Sequence, residues 1–277
     1  MTAGSDAPAT IGVIGGSGLY SLFEDAAQSD IATPYGPTSS PITVGTLGGR
    51  RVAFLTRHGS GHTLPPHRIP YRANIWALAS LGVRALVTSS AVGGLRADVA
   101  PGTFVVTDQL VDRTTGRDST FFDEGRVEHL AAADPFDPAL RALAVDALGQ
   151  QAVPLFDHGT AVVIQGPRFS TRAESRWYAA MGGDTINMTL APEVPLALEL
   201  GIGTVNLSFV TDSDAAVERG HADAVSGELV LRRLADAQPV IRTAIAAVVA
   251  GVPDDFEPRT GIADDAVQQV LTRPVVP

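Results

Sequence analysis

Two residue types are missing from this chain altogether. Among its 277 residues there is no cysteine, which excludes a thiol nucleophile, a disulfide and a cysteine-ligated zinc. There is no lysine either, so all 20 basic side chains are arginine. That excludes Schiff-base chemistry, a P-loop lysine and the strand lysine of protein kinases. Arginine in place of every lysine reads as the codon bias of a GC-rich genome, and the exclusions hold whatever its origin. Basic charge is scarce against acidic: 30 Asp and Glu give a formal net charge of -10. This is the opposite of a nucleic-acid binder's footprint, yet a small anionic substrate is compatible with it, because a site can be locally positive on an acidic protein. No segment reaches the roughly 18 apolar residues of a membrane-spanning helix. Met1 to Thr10 is polar and acidic, without the basic start and apolar run of a secretory signal. A soluble, cytoplasmic protein is expected, with neither membrane nor nucleic acid as partner.

What is present is a globular composition, 45% hydrophobic and 18% charged, on a chain long enough for a substantial core. Apolar runs rich in Val, Ile and Thr alternate with Ala/Leu segments of helical period. Strands are expected at Ile11–Ile14, at Ile42–Leu47 and Arg51–Thr56 flanking the Gly48-Gly49 hairpin signal, and at Ala85–Ser89, Phe104–Thr107, Thr160–Ile164, Thr185–Asn187 and Thr204–Val210. Helices are expected at Tyr71–Leu81, Pro138–Leu148, Thr171–Ala180 with Ser170 as N-cap, Glu193–Leu200, and Val225–Ala250 with a break near Pro239. Such alternation gives an α/β fold, one domain over residues 1–277 with a central mixed sheet flanked by helices. Residues 1–8 are expected to be flexible. The proline-punctuated tail, 252–277, is expected to order against a neighbour.

Several strand ends carry residues suited to chemistry. Gly15-Gly16-Ser17-Gly18 lies where an α/β fold places ligands, and its N–H groups and hydroxyl suit an anion; a plain tight turn explains it equally. It fits neither the dinucleotide fingerprint nor the serine-hydrolase elbow. Arg57 could grip a phosphate by its planar fork. His58, His62 and His67 lie in a segment too rich in Gly and Pro for a helical metal pair. Ser89–Gly94 presents hydroxyls and space, or simply packs closely. Phe169 could stack on a flat ring or fill a core. Arg168, Arg172 and Glu174 read as structural ion pairs, and Met188 as a core filler. For Thr211-Asp212-Ser213-Asp214, spacing alone favours a solvated helix start over a polar clamp.

The combination is more specific than its parts. Ile11–Tyr20, Arg57–His58, Tyr71–Leu78, Ser89–Arg96, Asp108–Thr114, Gly166–Ser175, Ile186–Glu193 and Thr211–Asp214 occur in one order and spacing. Together they resemble the trimeric purine nucleoside phosphorylase family, and within it the S-methyl-5'-thioadenosine phosphorylase branch. The likeness runs from Ile11 to the tail; the runs GPRFSTRAES and INMT carry it most specifically.

The resemblance implies a pentosyltransferase that cleaves a purine nucleoside with inorganic phosphate as co-substrate, and neither metal nor organic cofactor. By similarity, Ser17, Arg57, His58, Ser90, Ala91 and Thr189 bind phosphate. Met188 lies under the ribose and Phe169 beside the base, Ile186 and Asn187 are further substrate-binding residues, and Ser170, Asp212 and Asp214 address the purine edge. As the glycosidic bond stretches, negative charge grows on the purine, and a proton or hydrogen bond at N7 stabilises it. Asp212 is the candidate for that role, supported by Asp214. A 6-aminopurine donates to a carboxylate where a 6-oxopurine repels it, and a wrong edge can cost a factor of roughly 10⁴. The oxopurine branch carries Glu at the position of Ser170 and Asn at that of Asp212, so adenine is favoured here. The resemblance further implies a homotrimer, with a hexamer as the alternative, in which His129 reaches a neighbour's site. Val225, Val230 and Val275 would surround the 5' substituent. Gly227 stands where eukaryotic members carry a bulkier residue. The alternative reading is a purine nucleoside phosphorylase of different preference: other 5'-substituted adenosines, adenosine, or 6-oxopurine nucleosides.

Overall fold

The computed structural model describes residues 10–23, 26–214, 227–259 and 261–275. Its elements run β1 (Ile11–Gly15), β2 (Ala27–Ser29), β3 (Ile42–Leu47), β4 (Arg50–Thr56), α1 (Tyr71–Ser80), β5 (Ala85–Gly94), β6 (Phe104–Val106) and β7 (Gln109–Arg113). There follow α2 (Pro138–Gly149), β8 (Leu155–Phe156), β9 (Thr160–Ile164), α3 (Arg172–Ala180), β10 (Thr185–Asn187) and α4 (Leu190–Glu199). The chain ends in β11 (Gly203–Ser213), α5 (Gly227–Gly251) and α6 (Asp264–Leu271). The Gly48-Gly49 hairpin forms as expected, β3 antiparallel to β4.

All strands join one mixed sheet, and β5 is its branch point. One edge of β5 pairs in parallel with β1 from Ala85 to Thr88, then antiparallel with β10 at Gly93 and Gly94. Between them, Ser89 to Val92 pair with neither, and the sheet opens there. Divergence of neighbouring strands at their carboxyl ends is where α/β sheets hold ligands. The other edge of β5 is filled from end to end by β11, in parallel.

The faces are covered separately. Val13, Val87, Val205, Leu207 and Phe209 pack under α2 and α5, with Ile241, Ile245 and Val248 from α5. On the opposite face Ile14, Leu55 and Leu86 pack under α1, α4 and α6. By length and composition α5 could cross a membrane, but Leu234, Ala237, Ile241, Ala244, Ile245, Val248 and Val249 are buried in this core.

Some expectations need correction. Ser170 is not the cap of α3. Thr171 is: its hydroxyl accepts from the Glu174 N–H, and the Glu174 carboxylate accepts from the Thr171 N–H, a reciprocal capping box. Pro239 lies inside α5 and does not end it. Within the tail, α6 docks on α1 of the same chain, where the Trp76 indole donates to the Val270 carbonyl at 3.0 Å. Helix α4 begins at Leu190 but is kinked at Ala191, so its regular part matches the expected Glu193–Leu200.

Candidate active site

The open stretch of β5 floors a cavity of about 460 Å³, within the usual range for small-molecule sites. At its β1 side lies the glycine loop. A Cβ on Gly16 would sit 2.3 Å from the Ser89 carbonyl and 3.0 Å from Arg57 Nη1, so only glycine lets the loop lie against β5. The Gly16 N–H donates to Ser89 Oγ at 3.3 Å, and Ser17 faces the cavity.

Arg57 directly follows β4 and is buried, with 1% of its surface exposed. Its Nε and Nη2 donate to the two Glu193 carboxylate oxygens at 2.7 and 2.8 Å. Its Nη1 donates to the Ser89 carbonyl at 2.9 Å. The fork expected to grip a phosphate is therefore already clamped by a carboxylate, while still lining the cavity. Beside it, His58 Nδ1 lies 2.9 Å from the Leu64 carbonyl. A carbonyl only accepts, so Nδ1 carries the hydrogen, and Nε2 of the neutral ring is an acceptor. Burial and the adjacent Arg57 charge push His58 down to about 4, so the ring is neutral at physiological pH. It stacks on His62, centroids 4.4 Å apart.

Hydroxyls complete this end. Ser90 Oγ accepts from Asn206 Nδ2 at 3.1 Å, and the same amide donates to Thr88 Oγ1 at 2.7 Å. Asn187 Oδ1 accepts from the N–H groups of Thr189 and Leu190 at 2.6 and 2.8 Å. Its side chain thus caps the start of α4 and fixes Thr189. Ala91 and Thr189 both line the cavity.

The carboxylates stand farther along the same floor. Register in the β5/β11 ladder runs Phe209 to Ala91, Val210 to Val92, then Asp212 to Gly93. Thr211 is the extra residue of a bulge, and a bulge re-aims the side chains after it. Without it Asp212 would share the face of Val210; with it Asp212 takes the face of Phe209 and Ala91, as does Asp214 two residues on. The pair is a polar clamp at a strand end, not the helix start that spacing favours. Asp212 is 5% exposed and Asp214 3%. Gly93 makes room: a Cβ there would lie 3.0 Å from Asp212 Oδ2 and 3.2 Å from Asp214 Cβ.

The two acids are supported differently. Asp214 accepts from the Ser175 hydroxyl of α3. Asp212 accepts from the Thr211 hydroxyl at 2.7 Å. Burial, with a smaller push from the Asp214 charge, raises Asp212 to about 6, against the opposing Thr211 bond and Arg233 charge. Raised carboxyls of this kind serve as proton donors near neutral pH.

Phe169, Ile186, Met188, Val230, Leu231 and Gly227 wall the cavity. Phe169 is exposed at the rim, 41% accessible, rather than a core aromatic. The neighbouring Ser170 is buried outside the lining, and its Oγ has no hydrogen-bond partner among the described residues. Arg168 and Glu174 form the expected ion pair at 2.7 Å. His129 is exposed on this chain and apart from the cavity. Val275 is likewise exposed and apart from it. Val225 lies outside the described residues. His67 lines a different hollow, with Arg68 and Arg72, and among the described residues no cluster of three or more His, Asp and Glu could hold a metal.

Leu231 of the wall was not singled out from the sequence, nor were three polar residues that brace the site: Glu193, Asn206 and Ser175. Glu193 had a readable signal, an acid within the apolar run that opens α4, since a buried carboxylate requires a partner. Asn206 and Ser175 had none, because strand interiors and helix surfaces carry such residues for many reasons.

A single cavity that pairs an arginine and hydroxyls with a raised carboxyl suits an enzyme that holds an anion at one end and moves a proton at the other. The family comparison makes it particular. The profile of the Phosphorylase superfamily matches residues 10–250, and the chain belongs to that family. It is 56% identical over 211 residues to the S-methyl-5'-thioadenosine phosphorylase of Mycolicibacterium smegmatis, covering 76% of this chain and 79% of the relative. It is 49% identical over 258 residues to the purine nucleoside phosphorylase of Streptomyces coelicolor, covering 90% and 91%. Among solved structures, methylthioadenosine phosphorylase from Schistosoma mansoni in complex with adenine superposes with a TM-score of 0.81 at 34% identity, covering 87% of this chain and 90% of that one.

Proposed function

We propose that this chain catalyses phosphorolysis of S-methyl-5'-thioadenosine to adenine and 5-methylthioribose 1-phosphate. One observation carries the reading: the anion end and the carboxylate pair share a single cavity along β5. Ser89, which accepts from Arg57, and Gly93, which faces Asp212, are four residues apart on β5, about 13 Å. A nucleoside laid along that floor, with phosphate beneath its sugar, reaches both.

Phosphate takes the end lined by Ser17, Arg57, Ser90, Ala91 and Thr189. The neutral His58 ring can accept the P–OH hydrogen of monohydrogen phosphate through Nε2. Phosphate oxygen attacks C1' as the bond from C1' to the purine nitrogen breaks, and the electron pair of that bond passes to the base. Asp212, protonated in part near neutral pH, gives its proton to N7 or shares it, which stabilises the departing purine. Asp214, held by Ser175, accepts from the 6-amino group. The preference for adenine follows from the Asp214 acceptor, which a 6-oxopurine carbonyl would meet acceptor to acceptor.

The apolar wall of Val230 and Leu231 suits an uncharged 5' substituent. The homotrimer, with His129 completing a neighbour's cavity, and the cytoplasmic location belong to the same proposal; sedimentation equilibrium tests the first.

The deciding measurement is adenine release from methylthioadenosine with and without inorganic phosphate, with inosine run beside it. Phosphate-dependent release from the thionucleoside alone is expected. Release from inosine instead would overturn the carboxylate assignment and favour the purine nucleoside phosphorylase reading. Release without phosphate would make the enzyme a hydrolase.

A further inference from the structure

Arg117 lies in the loop after β7 and does not line the cavity, yet its guanidinium binds the backbone of two cavity walls. Its Nη1 donates to the carbonyls of Met188 at 2.9 Å and Ala191 at 2.6 Å. Its Nη2 donates to the carbonyl of Gln165 at 2.8 Å. Nη1 also donates to the Tyr71 hydroxyl at 3.1 Å, and that hydroxyl donates to the Pro66 carbonyl at 2.8 Å. The group sits over the Tyr71 ring, 5.5 Å from its centroid. The three segments converge at Gly166, where a Cβ would lie 2.6 Å from Met188 Sδ and 3.3 Å from Pro66 Cγ.

We propose that Arg117 is a positioning residue that sets the nucleoside end of the cavity by tying the Gln165–Phe169 segment to the Met188–Ala191 segment. A planar fork with several fixed donors can hold carbonyls from different loops at once, which the single ammonium of lysine cannot do with the same geometry. The segments it holds carry Phe169, Pro167 and Met188 to the cavity. Ser17, Ser90 and Ala91 belong to β5 and the loop after β1, which Arg117 does not touch; of the anion end, Thr189 lies inside the tied segment, and Glu193, the partner of Arg57, follows Ala191 by two residues. Both walls tied by Arg117 face the nucleoside and only one reaches the anion end, so Arg117 bears more strongly on the nucleoside than on phosphate. This rests on the phosphorolysis reading above.

The test is steady-state kinetics of purified Arg117→Met and Arg117→Lys with each substrate varied in turn. Misplaced walls raise the nucleoside KM by about tenfold or more in Arg117→Met, while the phosphate KM stays within about threefold. Arg117→Lys is expected to fall between Arg117→Met and the unaltered enzyme on the nucleoside KM. A purely structural role would lower kcat with the folded fraction and leave both KM values unchanged, and that result overturns the proposal. So does an equal rise in both. If Arg117→Met does not fold, the same split in Arg117→Lys decides. Should the unaltered enzyme show no phosphorolysis, the functional reading fails by itself. Arg117 is then judged by equilibrium binding of adenine, expected to weaken about tenfold in the variants; unchanged binding overturns its role.

Discussion

Arg57 and Glu193, 136 residues apart in sequence, meet as a two-bonded ion pair in which each side chain is 1% exposed. A guanidinium held this way cannot swing to meet an anion. It is presented in one orientation, and the net charge of that corner is set by what binds there.

Removing one partner of such a pair leaves the other buried and uncompensated. Glu193→Gln is expected to lower unfolding stability by about 3–5 kcal/mol and to raise the phosphate KM, because the Arg57 fork loses its fixed plane. Urea unfolding and phosphate titration check both. An unchanged unfolding midpoint would mean the pair is solvated in solution.

Asp212 gives a pH signature. Its folded value, about 6, lies above the ordinary 3.8, so the folded state favours the protonated form. That contribution is fully present below about 3.8 and is lost as pH rises through about 6. The linkage amounts to on the order of 2–3 kcal/mol by neutral pH. Asp212→Asn is expected to be more stable than the native enzyme at pH 8, with the gap closing at pH 4, and to turn over adenine nucleosides far more slowly. Thermal unfolding across that range is the check; a gap independent of pH would remove the raised carboxyl.

His58 has the opposite sign. Its folded value, about 4, lies below the ordinary 6.5. The stability it contributes is present above pH 6.5 and lost as pH falls through about 4. Between those values the native enzyme should lose more stability than His58→Asn does, by on the order of 3 kcal/mol. Parallel pH profiles for the two proteins would show that the ring is not buried neutral.

Gly93 separates the two carboxylates from β5 by the width of a missing methyl. Gly93→Ala places a carbon 3.0 Å from Asp212 Oδ2 and should cut kcat/KM for adenine nucleosides by about tenfold or more through misplacement of the acids. The phosphate KM should move little. Native turnover in this variant would mean that the acids tolerate displacement and act at longer range than a hydrogen bond.

How much of this was legible in the sequence depends on whether the signal was local. The hairpin at Gly48-Gly49 and strands such as β9 follow from apolar runs and turn residues. The capping box of α3 was equally local, in Thr171 and Glu174, although its neighbour Ser170 competes for the same reading. The aspartate pair was not local: its direction depends on a bulge at Thr211 that only pairing with β5 defines. Nor was the Arg57 clamp, because no spacing rule links β4 to α4. Strand β7, Gln109–Arg113, carries Gln, Asp and Arg among its five residues and lacks the apolar run that marks a buried strand. The short α6 hides between prolines, and what orders it is the surface of α1.

The ladder of β5 with β11 serves as both the centre of the sheet and the floor of the cavity, continuous from Ala85 and Gly203 to Gly94 and Ser213. The acids and the hydroxyls of the proposed anion end therefore have no private scaffold. Amide hydrogens from Val205 to Val210 should exchange only when the whole molecule opens. Drift in this floor is penalised twice, as lost stability and as lost chemistry. The first turn of α5 and the rim at Phe169, by contrast, answer to neither constraint so tightly. New specificities have room to arise there, around the base and the 5' substituent that the proposed reading places beside these walls, while the sheet and its carboxylates stay fixed.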